Sequence, residues 1–203
     1  MVNLKINCIS KLVKVDLPNL QEVINSVSVD MKFASKVDLK SAFSQFRLSD
    51  ETSRAMGFKF QDEIFVYKSL PFGYRNASTI CQNLVMIVIG NLRLRGFTCH
   101  VYIDDIILFA KSAELMRECT DYLHSLLRGI NLVLADEKTI LCQQEIHYLG
   151  MEFNLLSREV NCKTQLEKIR STVLNTKTEM CRWQLTEIES LIGRLNWLTS
   201  VIG

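Results

Sequence analysis

The sequence has few of the residues that make linkers and no excess of charge. Only 2 of its 203 residues are proline and 8 are glycine, so no Pro-rich or Gly-rich linker divides the chain. Lys and Arg total 24, Asp and Glu total 22, and the formal net charge is +2. This balance excludes a strongly basic nucleic-acid coat but allows a local basic face. The longest central apolar run, Leu84 to Ile89, is too short to cross a bilayer.

The cysteines and the first residues indicate where the protein works. Seven cysteines are present, widely spaced and without a CxxC pair, which favours free thiols in a reducing compartment. The segment MVNLKINCISKLVKVD has no long apolar stretch with a small-residue cleavage site, so we expect no secretion signal. The expectation is an intracellular protein, in the cytoplasm or the nucleus, without a membrane partner.

Hydrophobic periodicity predicts an α+β fold, because strand patterns dominate before residue 163 and helical patterns after it. The sequence is 48% hydrophobic and 23% charged, a composition typical of a folded domain with a hydrophobic core. Predicted helices cover 16–26, 77–89 and 114–129, with two more between 166 and 202. Predicted strands cover 32–39, 64–69 and 132–135, with hairpins at 98–110 and between 146 and 162.

Three aspartates stand where apolar strands end. Asp104 and Asp105 separate two apolar runs in TCHVYIDDIILFA, which predicts a hairpin with the acidic pair at its turn. Asp38 ends another apolar strand. If the two strands are neighbours, three carboxylates meet and form a site suited to Mg²⁺, and two such ions can activate a hydroxyl and stabilise a leaving oxygen. The alternative is that these aspartates are ordinary turn and strand-end residues.

Ordered sequence blocks resemble the reverse transcriptases of LTR retrotransposons and retroviruses. YIDD at 102–105 is similar to the YxDD motif of these enzymes, and VDLKSAFSQFRLSDETSRAMGF at 37–58 resembles their first aspartate block. Similar blocks follow in family order: FVYKSLPFGYRNASTICQNL at 65–84, around LPFG at 70–73, then GINLVLADEKTIL at 129–141, HYLGMEF at 147–153 and IESLIGRLNWL at 188–198. One YxDD alone is weak evidence, but the ordered set covers roughly residues 17–202.

The resemblance implies the right-hand polymerase fold: a palm of antiparallel sheet backed by helices, partial fingers and a helical thumb. The implied division is 1–29 as an N-terminal remnant of the fingers, 30–48 and 75–158 as palm, 49–74 as partial fingers, and 159–203 as thumb. The implied function is RNA-directed DNA polymerase activity, joining a deoxynucleotide to a primer 3′-hydroxyl on an RNA or DNA template.

The resemblance also implies the residues of the metal site. Asp38 and Asp104 would bind two Mg²⁺ ions, with Mn²⁺ as a substitute, and Asp105 would complete the acidic set. The Leu39 carbonyl would add a ligand. Lys138 would protonate the leaving pyrophosphate, which suits a cationic donor beside developing phosphate charge. The alternative for Lys138 is a solvated loop lysine.

Further positions would contact nucleotide and nucleic acid. The amides of Ser41 and Ala42 would face the deoxynucleoside triphosphate, and the Phe43 ring would exclude a ribose 2′-hydroxyl, although a core aromatic is the alternative. The other implied contacts are Phe72 and Gly73 for the nucleotide, and Tyr102, Arg75, Gln82, Tyr148, Leu149 and Gly150 for primer and template. Gln82 could be structural, residues 148–150 could be hairpin core, and the basic residues of 163–182 could face the duplex or only solvent.

Departures from the family pattern leave a second function open. Ser78 and Cys81 replace a proline and an aromatic residue of most relatives, and the strands that begin the fingers in relatives have no match near Ile9. We therefore expect a partner chain or a preceding segment to supply the rest of the fingers. The chain could be part of a polyprotein, decayed, or adopted by its host. The alternative function is a non-catalytic module of the same fold that binds nucleic acid or protein.

Overall fold

The computed structural model describes residues 6–15, 17–177 and 185–202. The described helices are α1 (Ile6–Ile9), α2 (Leu20–Ser26), α3 (Ala42–Gln45), α4 (Asp50–Ala55), α5 (Ala77–Leu94), α6 (Ala113–Gly129), α7 (Lys163–Lys177) and α8 (Leu185–Ile202). The strands are β1 (Phe33–Asp38), β2 (Gly57–Phe60), β3 (Glu63–Val66), β4 (Thr98–Tyr102), β5 (Asp105–Ala110), β6 (Ile140–Gln143), β7 (Glu145–Tyr148), β8 (Met151–Asn154) and β9 (Glu159–Asn161). A short 3₁₀ turn covers Asp136–Lys138.

A four-stranded antiparallel sheet organises the domain, in the order β4-β5-β1-β6. Strand β5 is fully paired, with β4 on one side and β1 on the other. Its register with β1 runs from Phe33 opposite Ala110 to Asp38 opposite Asp105. This pairing fixes the height at which the acidic residues of the two strands meet.

Both faces of the central sheet are buried. Since side chains alternate along a strand, each strand contributes residues to both faces. On β5, Ile106 and Leu108 face one core, which they share with α5 and α6. Ile107 and Phe109 face a second core, formed with α2 and the sheet β7-β8-β9. This two-sided burial explains the unbroken apolar run after the acidic pair.

Helix α5 is the long apolar helix of the described chain. By length and composition it could cross a membrane, and 44% of it is buried. Its buried stripe, however, packs against β4 and α6 within the first core. A core helix passes the same composition test, so its hydropathy has a structural explanation.

The segment before α2 docks against the loop that carries the LPFG block. The Asn7 amide donates to the Gly73 carbonyl at 2.7 Å, and its Oδ1 accepts from the Arg75 N–H at 3.0 Å. Asn76 donates to the Lys11 carbonyl and accepts from the Val13 N–H. No sequence pattern indicated this docking.

The α+β fold, the hairpin at 98–110 and the two C-terminal helices are confirmed. The predicted helix at 16–26 is shorter, since α2 starts after Asn19, whose side chain caps the Gln21 N–H; Asp16 lies outside the described residues. The predicted strand at 64–69 forms at 63–66, and its hairpin partner β2 was not predicted.

The strand predicted at 132–135 is wrong in extent. In the structure it is a single bridge between Leu134 and Leu39, and the sheet is completed instead by β6, which was not predicted. The division into palm, fingers and thumb stays a prediction.

The turn between β7 and β8 requires glycine for two separable reasons. Gly150 has φ +83°, and a Cβ there would lie 3.0 Å from Gln165 Nε2 and from Trp197 Cζ2. Gly96 has the same φ, but a Cβ there would meet nothing within 4 Å. A substitution of Gly96 therefore carries only the backbone cost of the positive φ. A substitution of Gly150 carries that cost and a steric clash with side chains of α7 and α8.

We expect Gly96→Ala to lower the free energy of unfolding by about 1 kcal/mol, the cost of a left-handed non-glycine residue. Gly150→Ala should cost about 1–2 kcal/mol more, because overpacking adds to the backbone strain. Urea denaturation of the two variants measures the difference. Equal losses would contradict the contact between this turn and the C-terminal helices.

His100 is a buried histidine with a defined protonation state. The Ser26 hydroxyl donates to the Val23 carbonyl, so it accepts from His100 Nε2, at 2.7 Å. His100 Nδ1 faces an Arg93 nitrogen at 3.5 Å. Burial, helped by the positive Arg93, lowers the pKa of His100 from 6.5 to about 4. The folded protein therefore holds this histidine neutral.

Acidification should consequently destabilise the fold through His100. Below pH 6.5 His100 becomes protonated in the unfolded state, whereas in the folded state it stays neutral down to about pH 4. The free energy of unfolding therefore falls as the pH decreases across this range. Between pH 7 and 4.5 the wild type should lose about 2 kcal/mol more than His100→Gln. Chemical denaturation at both pH values tests this, and parallel losses in the two proteins would contradict it.

Candidate active site

The three predicted aspartates meet at one end of the central sheet. Asp38 is the last residue of β1, and Asp105, the first residue of β5, is its cross-strand partner. Asp104 directly precedes Asp105 in the turn between β4 and β5. The Leu39 N–H donates to the Asp104 carbonyl at 3.3 Å, which ties this turn to the end of β1.

The acidic pair was predicted to form the turn of the hairpin, but only Asp104 lies in that turn. Tyr102 pairs with Asp105, so the two turn residues are Ile103 and Asp104. Asp105 belongs to β5, and its carbonyl accepts a hydrogen bond from the buried Tyr148 hydroxyl at 3.1 Å. Burial, reinforced by the Asp105 charge, raises the pKa of the Tyr148 phenol well above its ordinary value. Tyr148 therefore acts here as a neutral donor.

The electrostatics of the site favour a cation. Burial raises the pKa of Asp104, and the negative charges of Asp38 and Asp105 raise it further. Asp38 Oδ1 is buried and has no hydrogen-bond partner. A buried carboxylate oxygen without a partner is costly, and a bound cation would relieve both this cost and the mutual repulsion.

Two lysines lie beside Asp38 and Asp105, the two outer aspartates of the site. Lys36 Nζ is 3.2 Å from Asp105 Oδ1, with both side chains about three-quarters buried, although the pair makes no hydrogen bond. Lys138 Nζ is 3.5 Å from Asp38 Oδ2. Because Lys138 is 63% exposed, its contact is a weak, solvent-screened pair. Asp104 has no lysine of its own at ion-pair distance in the described structure.

Backbone pairing brings Lys138 to the site across 100 residues of chain. The Ala135 N–H donates to the Asp38 carbonyl at 2.8 Å, and the Lys40 N–H donates to the Val133 carbonyl at 3.0 Å. Gln45 reinforces this pairing, since its side chain accepts from the Val133 N–H at 2.6 Å and donates to the Val133 carbonyl at 2.9 Å. The 3₁₀ turn that follows carries Lys138 toward Asp38.

The donor set fits a divalent cation only in part. Carboxylate oxygens are the ligands that Mg²⁺ prefers, and Asp38 offers an unpartnered one. The described residues include no group of three or more His, Cys, Asp or Glu side chains arranged to hold a metal ion. Asp38 and Asp104 are the better candidates, because the Lys36 ammonium already lies against Asp105.

The predicted nucleotide-side residues lie in two adjoining segments. The Phe43 and Phe72 rings contact each other edge to face, with centroids 5.0 Å apart. Phe43 also packs against the first core, whereas Phe72 is 69% exposed. Ser41, before Ala42 of α3, adopts a left-handed backbone with φ 47°, as does Gly73 with φ 85°. The two rings therefore share one surface.

The predicted primer and template residues separate into three groups. Tyr102 is half-buried at the end of β4, and Leu149 and Gly150 form the β7–β8 turn with positive φ values. Arg75 Nη1 donates to the carbonyls of Asn7 and Ser10, so in this structure it holds the N-terminal segment. Gln82 and Tyr148 are each 1% exposed, so both lie beneath the site rather than on a surface that a nucleic acid could reach.

The basic segment predicted to face a duplex is only partly described. Lys163, Lys168 and Arg170 are exposed on α7, while residues 178–184 lie outside the described residues. Lys36 and Gln45 were not predicted. Side-chain alternation could have found Lys36, two residues before Asp38 on the same strand face, but no sequence signal indicates Gln45.

Comparison with known proteins agrees with the geometry. The family described as reverse transcriptase (RNA-dependent DNA polymerase) matches residues 2–153. A genome polyprotein of Petunia vein clearing virus is 29% identical over 191 residues, 93% of this chain and 8% of the polyprotein. A retrovirus-related Pol polyprotein from the Drosophila melanogaster transposon gypsy is 29% identical over 140 residues, 69% of this chain and 13% of that protein.

Solved structures show the same fold. The foamy viral protease-reverse transcriptase in complex with double-stranded DNA matches with a TM-score of 0.74 and 20% identity, over 95% of this chain and 32% of that one. The same enzyme with an RNA/DNA hybrid matches with a TM-score of 0.71 and 19% identity, over 92% and 24%. This chain thus spans under a third of each of these relatives. With the family matched over three-quarters of its length, the chain belongs to the reverse transcriptase family.

Proposed function

We propose that this chain is the polymerase part of a retroelement enzyme, an RNA-directed DNA polymerase that extends a primer with deoxynucleotides. The carrying observation is the register that sets Asp38 opposite Asp105, with Asp104 beside them. An ordinary turn does not need three like charges at one buried strand end. The unpartnered Asp38 oxygen and the raised pKa of Asp104 support a cation-binding role.

We assign two Mg²⁺ ions, or Mn²⁺, to Asp38 and Asp104, with the Leu39 carbonyl as a further ligand and Asp105 completing the acidic set. Bound there, the ions would activate the primer hydroxyl and stabilise the leaving oxygen. Lys36 opposes the Asp105 charge at 3.2 Å. This pairing favours Asp38 and Asp104 as the carboxylates that would hold the ions.

The transfer breaks the primer O–H bond, with the proton passing to water, and joins the 3′-oxygen to the α-phosphorus. The bond from that phosphorus to the bridging oxygen breaks, so pyrophosphate leaves. Lys138 would give its proton to the leaving pyrophosphate, from the position that the 133–135 pairing fixes beside Asp38. Such catalysis consists mainly of positioning and charge neutralisation. The mutually tied strand ends supply the positioning.

The fold supports a nucleic-acid partner for this chain. Foamy viral relatives are solved with double-stranded DNA and with an RNA/DNA hybrid, and we assign the same class of partner here. Ser41, Ala42 and the Phe43–Phe72 surface would receive the deoxynucleotide. A partner chain or a preceding segment would complete the fingers. The described cysteines are all free, and we place the protein inside the cell.

The second candidate is a non-catalytic module that uses this fold to bind nucleic acid or protein. The observation that favours it is that a lysine already lies beside each outer aspartate. In such a module these pairs would be structural, and metal binding would be dispensable. Binding and biological activity would then survive the loss of Asp104.

Asp104→Asn separates the two candidates. Primer extension on an annealed RNA template with Mg²⁺ and deoxynucleotides should fall on the order of 10³-fold or more, because a charge that holds the ions is removed. Asp121→Asn, an exposed aspartate on α6, is the matched control and should extend normally. The polymerase proposal is contradicted if the wild type extends no primer even when a partner chain or a preceding segment supplies the rest of the fingers.

Phe43→Ala tests the steric gate. Removing the ring should lower the preference for deoxynucleotides over ribonucleotides at least about tenfold, because the 2′-hydroxyl no longer meets a side chain. The measurement is kcat/KM for both nucleotide types. Phe60→Ala, on the exposed face of β2, should leave the ratio unchanged. An unchanged ratio in Phe43→Ala would return Phe43 to a core role.

A further inference from the structure

A helix side chain beneath the acidic turn holds that turn by both of its polar atoms. Gln82, on α5, is 1% exposed. Its Oε1 accepts from the Ile103 N–H at 2.6 Å, and its Nε2 donates to the Val101 carbonyl at 3.2 Å. One amide therefore spans the end of β4 and the first residue of the turn.

The residue that Gln82 holds has an unfavourable backbone conformation. Ile103 has φ 61°, a left-handed value that is rare for a β-branched residue because its Cβ crowds the backbone. Such strain persists only where the surroundings enforce it. The turn therefore needs an external constraint to keep this shape.

A second group on the same helix completes the constraint. The Cys81 thiol donates to the Ile103 carbonyl at 3.6 Å, and Cys81 is 0% exposed. Burial, with a contribution from the Asp104 charge, raises the pKa of the Cys81 thiol to about 12, so the thiol keeps its proton. Consecutive residues of α5 thus bind the N–H and the carbonyl of Ile103.

We propose that Gln82 is a positioning residue for nucleotidyl transfer: it holds Ile103 left-handed so that Asp104, the next residue, faces Asp38. The inference rests on the proposed polymerase function and deepens it, because it gives Gln82 a role beneath the acidic turn instead of a contact with primer or template. The remaining carbonyls near the turn are held by other groups, Asp104 by the Leu39 N–H and Asp105 by the Tyr148 hydroxyl. Gln82 and Cys81 are the groups that address Ile103 itself.

The chemistry of this position selects an amide. A carboxamide donates and accepts at once, as the Val101 carbonyl and Ile103 N–H require. A methionine has a similar shape but makes neither bond and leaves the buried N–H unpaired, which is costly. Gln82→Met therefore removes the polar link while largely keeping the volume.

The experiment combines this variant with relief of the strain. Gln82→Met should lower kcat at least tenfold with KM for nucleotide and primer–template unchanged, and should speed hydrogen exchange of the Ile103 amide at least tenfold. Ile103→Gly tolerates the left-handed backbone, so adding Gln82→Met to it should lower kcat less than threefold. Gln143→Met, an exposed glutamine on β6, is the control and should match the wild type.

The outcomes separate this inference from the polymerase proposal. Unchanged Ile103 exchange, or faster exchange with kcat at the control value, would overturn it. If the wild type extends no primer even with the rest of the fingers supplied, the polymerase proposal fails on its own. Mn²⁺ affinity by calorimetry then replaces kcat as the readout for Gln82: weaker binding in Gln82→Met supports its role in positioning Asp104, and equal binding overturns it. If Gln82→Met does not fold, Gln82→Asn, too short to reach both partners, is expected to give the same changes.

Discussion

The pairing of β1 with β5 is the constraint on which the site depends. Their register puts Asp38 opposite Asp105 and leaves Asp104 one residue away. Apolar side chains on both faces of β5 fix that register, since a slip of one residue would exchange the two cores. Hydrophobic burial thus holds together carboxylates that repel each other. The free energy gained by burying both faces of β5 opposes the electrostatic repulsion at the acidic end of the sheet.

The structure handles this repulsion differently at each aspartate. Asp105 has the mostly buried Lys36 beside it, and Asp38 has the exposed Lys138. Asp104 has neither lysine at ion-pair distance, and burial together with the charges of Asp38 and Asp105 raises its pKa, although the more distant Lys138 charge acts in the opposite direction. The least compensated carboxylate therefore lies on the strained turn, where a cation would gain most. This uneven compensation favours a cation site over a structural ion-pair cluster.

Much of this could be predicted from the sequence, and the failures have physical reasons. Apolar runs revealed β1, β4, β5 and α5, and family blocks located the aspartates, because both signals are local. Turn placement failed at Ile103, since nothing local indicates that a β-branched residue will be left-handed. Strand β6 and the Arg75 contacts with Asn7 and Ser10 depend on partners at least 65 residues away, and no local pattern encodes such pairings.

Helix α5 connects the core with the chemistry. Its buried positions repeat at helical spacing, and the same stripe that carries Val85, Ile89 and Leu92 includes Cys81 and Gln82. The apolar part of the stripe fixes the helix against β4, so the polar part meets the turn at a set height and angle. A glutamine in such a stripe would be a defect in a purely structural core. Here both of its polar atoms are used by the residues just before Asp104, so its burial is explained by the turn it holds.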